Sequence, residues 1–169
     1  IKQDINVEQV VADLLSGNVV AIANGRAEFG PRALGNRSLL ADPRSPYAKS
    51  RMNKVKRRQQ FRPFAPAVLA EHASQYFDLS AANNDYMQFV SKCLTPDDLP
   101  GVCHVDQTSR VQTVQSNNNS KLRTILEAWY AATGCPVLMN TSLNIRGEPL
   151  VNTWQDAERF RQNYNIPIY

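Results

Sequence analysis

Four stretches of the sequence set side chains at spacings that suit work on an anion. The first runs from Gly25 to Ser38, GRAEFGPRALGNRS, with Arg26, Arg32 and Arg37 among Gly25, Gly30 and Gly35. Glycines let a backbone approach a ligand closely, and arginine forks match phosphate oxygens two at a time. The GxxxxGK[ST] order of a Walker A loop is absent. Read alone, this stretch is either a phosphate cradle or an arginine-rich loop in solvent. The second, Asn53 to Pro66, is NKVKRRQQFRPFAP. Its basic cluster suits a nucleic-acid patch or a solvated helix face, and Arg57 is expected to point to solvent. Arg62 differs. Held between Phe61 and Pro63-Phe64, it has a rigid apolar setting that suits one assigned anion.

The third stretch, His104 to Val114, is HVDQTSRVQTV. Arg110 begins an alternating segment, and an arginine at a strand end can reach a cleft at the sheet edge. His104 is read as a partly buried, hydrogen-bonded histidine. The fourth, Pro136 to Pro149, is PVLMNTSLNIRGEP. A buried strand there delivers Asn140, Thr141, Ser142 and Asn144 at its C-terminal end, where open α/β sheets bind ligands. No His or Asp adjoins Ser142, so it reads as a donor to phosphate rather than as a nucleophile.

The charge distribution agrees. Residues 26–62 hold eleven Lys and Arg against two acids, Glu28 and Asp42, and the rest of the chain holds eight against thirteen. A cationic segment in an otherwise acidic domain implies an anionic partner. At 169 residues with 43% hydrophobic side chains, the chain suits one folded domain and not a disordered segment. No apolar run is long enough for a membrane helix. No basic stretch leads into an apolar one as a secretory signal would. The sequence begins at Ile1 rather than Met, so it is expected to be a piece of a longer chain. Three cysteines without CxxC spacing and two separated histidines disfavour a zinc site. The odd cysteine count suits a reducing, cytoplasmic setting.

Elements that could position these residues follow from local pattern. Val7, Val10, Val11, Leu14 and Leu15 recur at helical spacing over 7–16, with Asn6 as cap and Gly17 as stop. Val19–Ala23 reads as a buried strand. Residues 24–66 read as turns and arginines, with a helix over 47–56 after Ser45-Pro46. Strands are expected at 67–69, 86–90, 110–114 and 136–140, and a short helix at 71–77. A helix over 121–133 has Ser120 as cap and Gly134 as stop, and a last one over 154–163 has a Thr153–Asp156 capping box. Alternating helices and short apolar strands mean an α/β domain with a mixed sheet.

Taken together, GRAEFGPRALGNRSLLADPR, NKVKRRQQFRPFAPAVL, HVDQTSRVQTV and PVLMNTSLNIRGEPLVNTWQDA closely resemble the C-terminal domain of the carbamoyltransferase family, in its order and spacing. That family includes nodulation-factor, cephalosporin and aminoglycoside O-carbamoyltransferases. The match covers about residues 17–160, and four long motifs in register are far more specific than any one. The resemblance implies a YrdC-like fold over residues 1–169: a twisted open mixed sheet with flanking helices and a cationic concave face. It implies formation of carbamoyl-adenylate from ATP and carbamoyl phosphate, with Mg²⁺ entering on the ATP. A separate N-terminal transferase domain, related to the actin-like ATPases and outside these residues, would pass the carbamoyl group to an acceptor hydroxyl.

By the same resemblance, Lys56, Arg62, Arg32, Arg110, Asn140 and Ser142 fall on ligand-binding positions, and Thr141 and Arg37 join the nucleotide side. Lys56, Arg62 and Arg32 are the expected catalytic set. Gln59, Leu143 and Gln107 depart from the usual Glu, Phe and Gly. None of these changes removes a cation. A different reading of the same fold is a YrdC-like module that binds RNA or nucleotide without catalysis. The two readings differ in arrangement. Non-specific nucleic-acid binding needs only spread charge. The enzyme needs Arg32, Lys56, Arg62, Arg110 and Ser142 to converge on one cleft.

Overall fold

The computed structural model describes residues 5–80 and 83–169. The chain forms α1 (Val7–Leu15), β1 (Val20–Ala23), β2 (Arg37–Ala41), α2 (Ala48–Val55) and β3 (Ala65–Leu69). After a 3₁₀ turn over Ala70–His72 come α3 (Ala73–Tyr76), β4 (Phe77–Asp78), β5 (Ser91–Cys93), β6 (Thr108–Ser109) and β7 (Gln112–Val114). The last elements are α4 (Lys121–Thr133), β8 (Val137–Ser142) and α5 (Trp154–Tyr164).

The helices begin where side chains can take orphaned backbone N–H groups. Asn6 accepts from Gln9 N, Ser120 accepts from Arg123 N, and Thr153 and Asp156 form a reciprocal box. Five strands make a mixed sheet in the order β1-β2-β8-β3-β7, antiparallel except for β3 beside β7. Its two faces are both covered. Val20, Ile22, Leu40, Leu69 and Leu138 meet α1 and α4 through Leu14, Leu126 and Trp129. Their alternates Ala21, Leu39, Val68 and Met139 meet Met52 of α2, Phe77, and Phe160 of α5. Burial on both faces is why these strands read as apolar runs. A three-stranded antiparallel sheet, β4-β5-β6, extends the second layer. Backbone of residues 167–169 bonds to Ala21 and Ala23 and closes the β1 edge.

Three expectations need correction. Residues 37–41 are a fully buried strand, not part of a turn region. Residues 86–90 are turn and loop, and the strand begins at Ser91. Arg110 does not start β7. It sits with Val111 in the link between β6 of one sheet and β7 of the other. Gln107 has φ +59°. That left-handed turn favours glycine and costs a side chain about 1 kcal/mol.

Topology determines where the chemistry gathers. β8 runs antiparallel to both β2 and β3, and β7 runs parallel to β3. The C-terminal end of β8 therefore lies at the sheet edge where β2, β3 and β7 begin. The segments carrying Arg32, Arg62 and Arg110 lead into those three strands.

Candidate active site: a cationic cleft at one sheet edge

A cleft of about 310 Å³ opens at that edge. Arg32, Arg58, Arg62 and Arg110 line it, with Asn140, Thr141 and Ser142 from the end of β8 and Phe64 and His104 between them. No carboxylate is among its lining residues. Beside Arg32 and Arg110 it continues into a shallower groove of about 540 Å³ lined by exposed Phe29, Tyr86 and Val90.

Each arm is held from behind. The Arg32 loop wraps around Glu28, whose Oε1 accepts from the backbone N–H groups of Leu34, Asn36 and Arg37 at 2.8, 2.6 and 3.4 Å. Gly35 packs this loop on α4 at φ +124°, and a Cβ there would lie 2.6 Å from Leu122 Cβ. Asn140 is buried. Its Nδ2 donates to Ala33 O at 3.0 Å and Gln112 Oε1 at 2.7 Å, tying β8 to the Arg32 loop and to β7. Among the described residues its Oδ1 has no partner.

Lys56 stands one layer back, 4% exposed at the end of α2. Its Nζ donates toward Ser142 O at 2.6 Å, Ser142 Oγ at 3.2 Å, Asn144 O at 2.9 Å and Asn144 Oδ1 at 3.0 Å. It thus braces the strand end that Ser142 presents to the cleft. Burial, then the charges of Arg58 and Arg62, lower the Lys56 ammonium to about 7. Burial and Arg62 likewise bring Arg58 down to about 10. Burial, with Lys49 and Arg110 nearby, holds His104 below its ordinary value, against the pull of Asp106 and a Phe64 backbone bond. Cations without a paired carboxylate, partly removed from water, form a site for an incoming anion.

Of the residues singled out in the sequence, Arg32, Arg62, Arg110, Asn140, Thr141 and Ser142 share the cleft, and Lys56 supports it. Arg57 is exposed, with its guanidinium 5.2 Å from the Tyr164 ring centre. Arg37 is not among the lining residues. It is 2% exposed and donates to the carbonyl oxygens of Val151, Asn24, Asn36, Gly25 and Asn152 at 2.8–3.2 Å. Its guanidinium is a structural clamp, because every donor direction is already filled. Burial draws it below its ordinary value although Glu28 opposes the shift. Arg58 was missed by sequence reasoning. The signal that could have found it is its proximity to Arg62, but a left-handed turn at Arg57 decides which arginine faces inward, and φ +51° there has no sequence mark.

Residues 11–168 match the family model described as Carbamoyltransferase C-terminus. The chain belongs to that family. Nodulation protein NolNO of Sinorhizobium fredii is 44% identical over 149 residues, covering 85% of this chain and 22% of that protein. The 3'-hydroxymethylcephem-O-carbamoyltransferase of Amycolatopsis lactamdurans is 39% identical over 159 residues, covering 94% of this chain and 30% of that protein. This carbamoyltransferase domain therefore spans less than a third of the curated relatives it matches. In fold it is similar to full-length HypF in the phosphate- and nucleotide-bound form, with TM-score 0.70 and 16% identity over 99% of this chain and 25% of that one. The YrdC-like architecture is thereby shown. No helix among the described residues is long and apolar enough to cross a membrane.

Proposed function

We propose that this domain binds ATP and carbamoyl phosphate in the cationic cleft and forms carbamoyl-adenylate. The observation that carries the reading is convergence: Arg32, Arg62, Arg110 and the Asn140–Ser142 strand end come from four separate segments and line one cleft, with Lys56 behind them. Spread surface charge would serve duplex RNA equally well. Partly desolvated cations aimed at one volume suit compact phosphates better.

The reaction we infer has two steps. Water cleaves carbamoyl phosphate to carbamate and inorganic phosphate. A carbamate oxygen then attacks the α-phosphorus of ATP in line, and pyrophosphate leaves with the electrons of the broken P–O bond. Such a step depends on positioning and on charge stabilisation, and needs no protein nucleophile. Arg110, Asn140, Thr141 and Ser142 would hold nucleotide phosphates. Arg62 and Arg32, with Lys56 bracing Ser142, would meet the carbamoyl phosphate and the charge that develops on transfer. Mg²⁺ would be held by the ATP phosphates and neutralise part of their charge, since the cleft offers arginines, amides and hydroxyls rather than carboxylates. A transferase domain elsewhere in the polypeptide would receive the carbamoyl group.

Carbamoyl-phosphate-dependent exchange of labelled pyrophosphate into ATP tests this, in the polypeptide that carries the domain. Exchange that requires carbamoyl phosphate is expected; ATP cleavage to ADP and phosphate would contradict it. Arg110→Ala should weaken ATP binding about tenfold or more by calorimetry, the worth of one charge-assisted contact. Arg57→Ala should leave it within twofold or so, as an exposed cation outside the cleft. Duplex RNA binding far tighter than ATP, with a steep salt slope, would favour the nucleic-acid reading instead.

A further inference from the structure

Water that cleaves carbamoyl phosphate must give up a proton, and the lining of the cleft offers that proton one place to go. The arginine, asparagine, threonine and serine side chains there accept no proton near neutrality. Lys56 lies behind the lining, with its Nζ turned to four acceptors of the Ser142–Asn144 turn. His104 is the exception, since it lines the cleft and carries an imidazole. Its place is fixed by backbone. His104 N donates to Thr108 O and Gln107 N donates to His104 O, both at 3.0 Å, which closes a tight turn. The Asp106 carboxylate of that turn is engaged locally, its Oδ1 accepting from Thr108 N at 3.1 Å and from Thr108 Oγ1 at 2.7 Å. Burial, then Lys49 of α2 and Arg110 of the β6–β7 link, disfavour the imidazolium, while Asp106 and the Phe64 backbone favour it. The balance keeps the ring neutral at pH 7. A backbone contact that favours the charged ring is an N–H given to a carbonyl oxygen, so the other ring nitrogen keeps its lone pair.

We propose that His104 is the general base of the hydrolytic step, taking a proton from the water that attacks carbamoyl phosphate. The water oxygen bonds to the carbonyl carbon as its proton passes to the imidazole. The bond from that carbon to the bridging oxygen then breaks. Its electron pair leaves with the phosphate, which takes the proton back from His104. Carbamic acid and hydrogen phosphate result, and the acid loses its own proton to solvent to give the carbamate that attacks ATP. The inference rests on the functional reading above and assigns a residue to its first step only. The second step is attack by an anion and has no proton to remove.

The test uses the polypeptide that carries this domain and two carbamoyl donors: carbamoyl phosphate, which needs hydrolysis, and ammonium carbamate, which does not. H104Q should lower pyrophosphate exchange supported by carbamoyl phosphate by about 10²–10⁴, the usual contribution of a general base. Exchange supported by ammonium carbamate should fall far less, by a few-fold at most. In the native chain the carbamoyl phosphate rate should rise with pH as the ring loses its proton and level off below the ordinary histidine value of 6.5. H104Q should lack that limb. The thermal midpoint of each variant is recorded, and H104N takes the place of H104Q if that variant does not fold. Equal losses with both donors would mean a structural or binding role and would overturn the proposal. So would carbamoyl phosphate exchange that is unchanged in H104Q, and in both cases the native exchange would still support adenylation. Phosphate released from carbamoyl phosphate by the native chain and not by H104Q, with no exchange from either donor, would support His104 as the base and refute formation of the adenylate.

Discussion

Lys56→Met is expected to lower carbamoyl-phosphate-dependent pyrophosphate exchange by about 10²–10³, the cost of misplacing a donor aimed at transition-state charge, while ATP affinity stays within a few-fold. The difference follows from placement. Lys56 does not line the cleft; it carries four acceptors of the Ser142–Asn144 turn on its ammonium. Without it, the strand end keeps its place in the sheet through Ser38 but loses the charge behind Ser142. Unchanged exchange in Lys56→Met would remove its positioning role behind Ser142 and leave the fold assignment intact.

The same residue gives a pH signature. Burial and two arginines bring Lys56 to about 7 in the folded chain, from 10.5 ordinarily. Between those values the unfolded chain binds more protons than the folded one, so stability rises with pH across that window. The contribution is complete above the unfolded value and lost as pH falls through the folded one. Urea midpoints measured from pH 6.5 to 10 should climb for the native chain and climb less for Lys56→Met. Parallel curves would contradict the burial of this amine among neutral acceptors and arginines.

The second large effect is on stability. Arg37→Met should destabilise the domain by about 3–5 kcal/mol, since each buried carbonyl left without a donor costs about 1–3 kcal/mol and some will find other partners. Five carbonyl oxygens from three segments would lose their donor at once, and the Arg32 loop would lose its anchor at β2. Thermal unfolding and ATP calorimetry on one sample separate two roles. A lost transition with little change in the affinity of the remaining folded protein fits a clamp. A normal transition with lost ATP affinity would mean that Arg37 binds the nucleotide after all.

What the sequence made legible was what local chemistry controls. Asn6, Ser120 and the Thr153–Asp156 pair start helices at those positions, because caps act over three or four residues. The apolar runs of β1 and β8 are recognisable because both faces are buried. β2 was hidden because it opens with Arg37-Ser38, whose burial depends on carbonyls far along the chain at Val151 and Asn152. Strands of two or three residues, β4 to β6, have too few positions to carry a period. Residues 86–90 carry the aromatic and branched residues of a strand, yet Asn84 accepts from the N–H groups of Gln88 and Phe89 and folds them into a loop.

The candidate site was legible as a set of residue types, since arginines, an asparagine and a serine outside any local pattern point to an anion. Its depth order was not. That Lys56 stands behind Ser142, that Arg58 lines the cleft, and that Arg37 is held on backbone carbonyls outside it all depend on strand register and on one left-handed residue, Arg57.

The central claim is that one cleft at the β8 edge holds both anions. A crystal structure of the polypeptide grown with ATP and carbamoyl phosphate tests it most directly. Phosphate density is expected within hydrogen-bond reach of Arg32, Arg62 and Arg110, between Ser142 and His104. Nucleotide bound elsewhere, with those three guanidinium groups facing solvent, would contradict it.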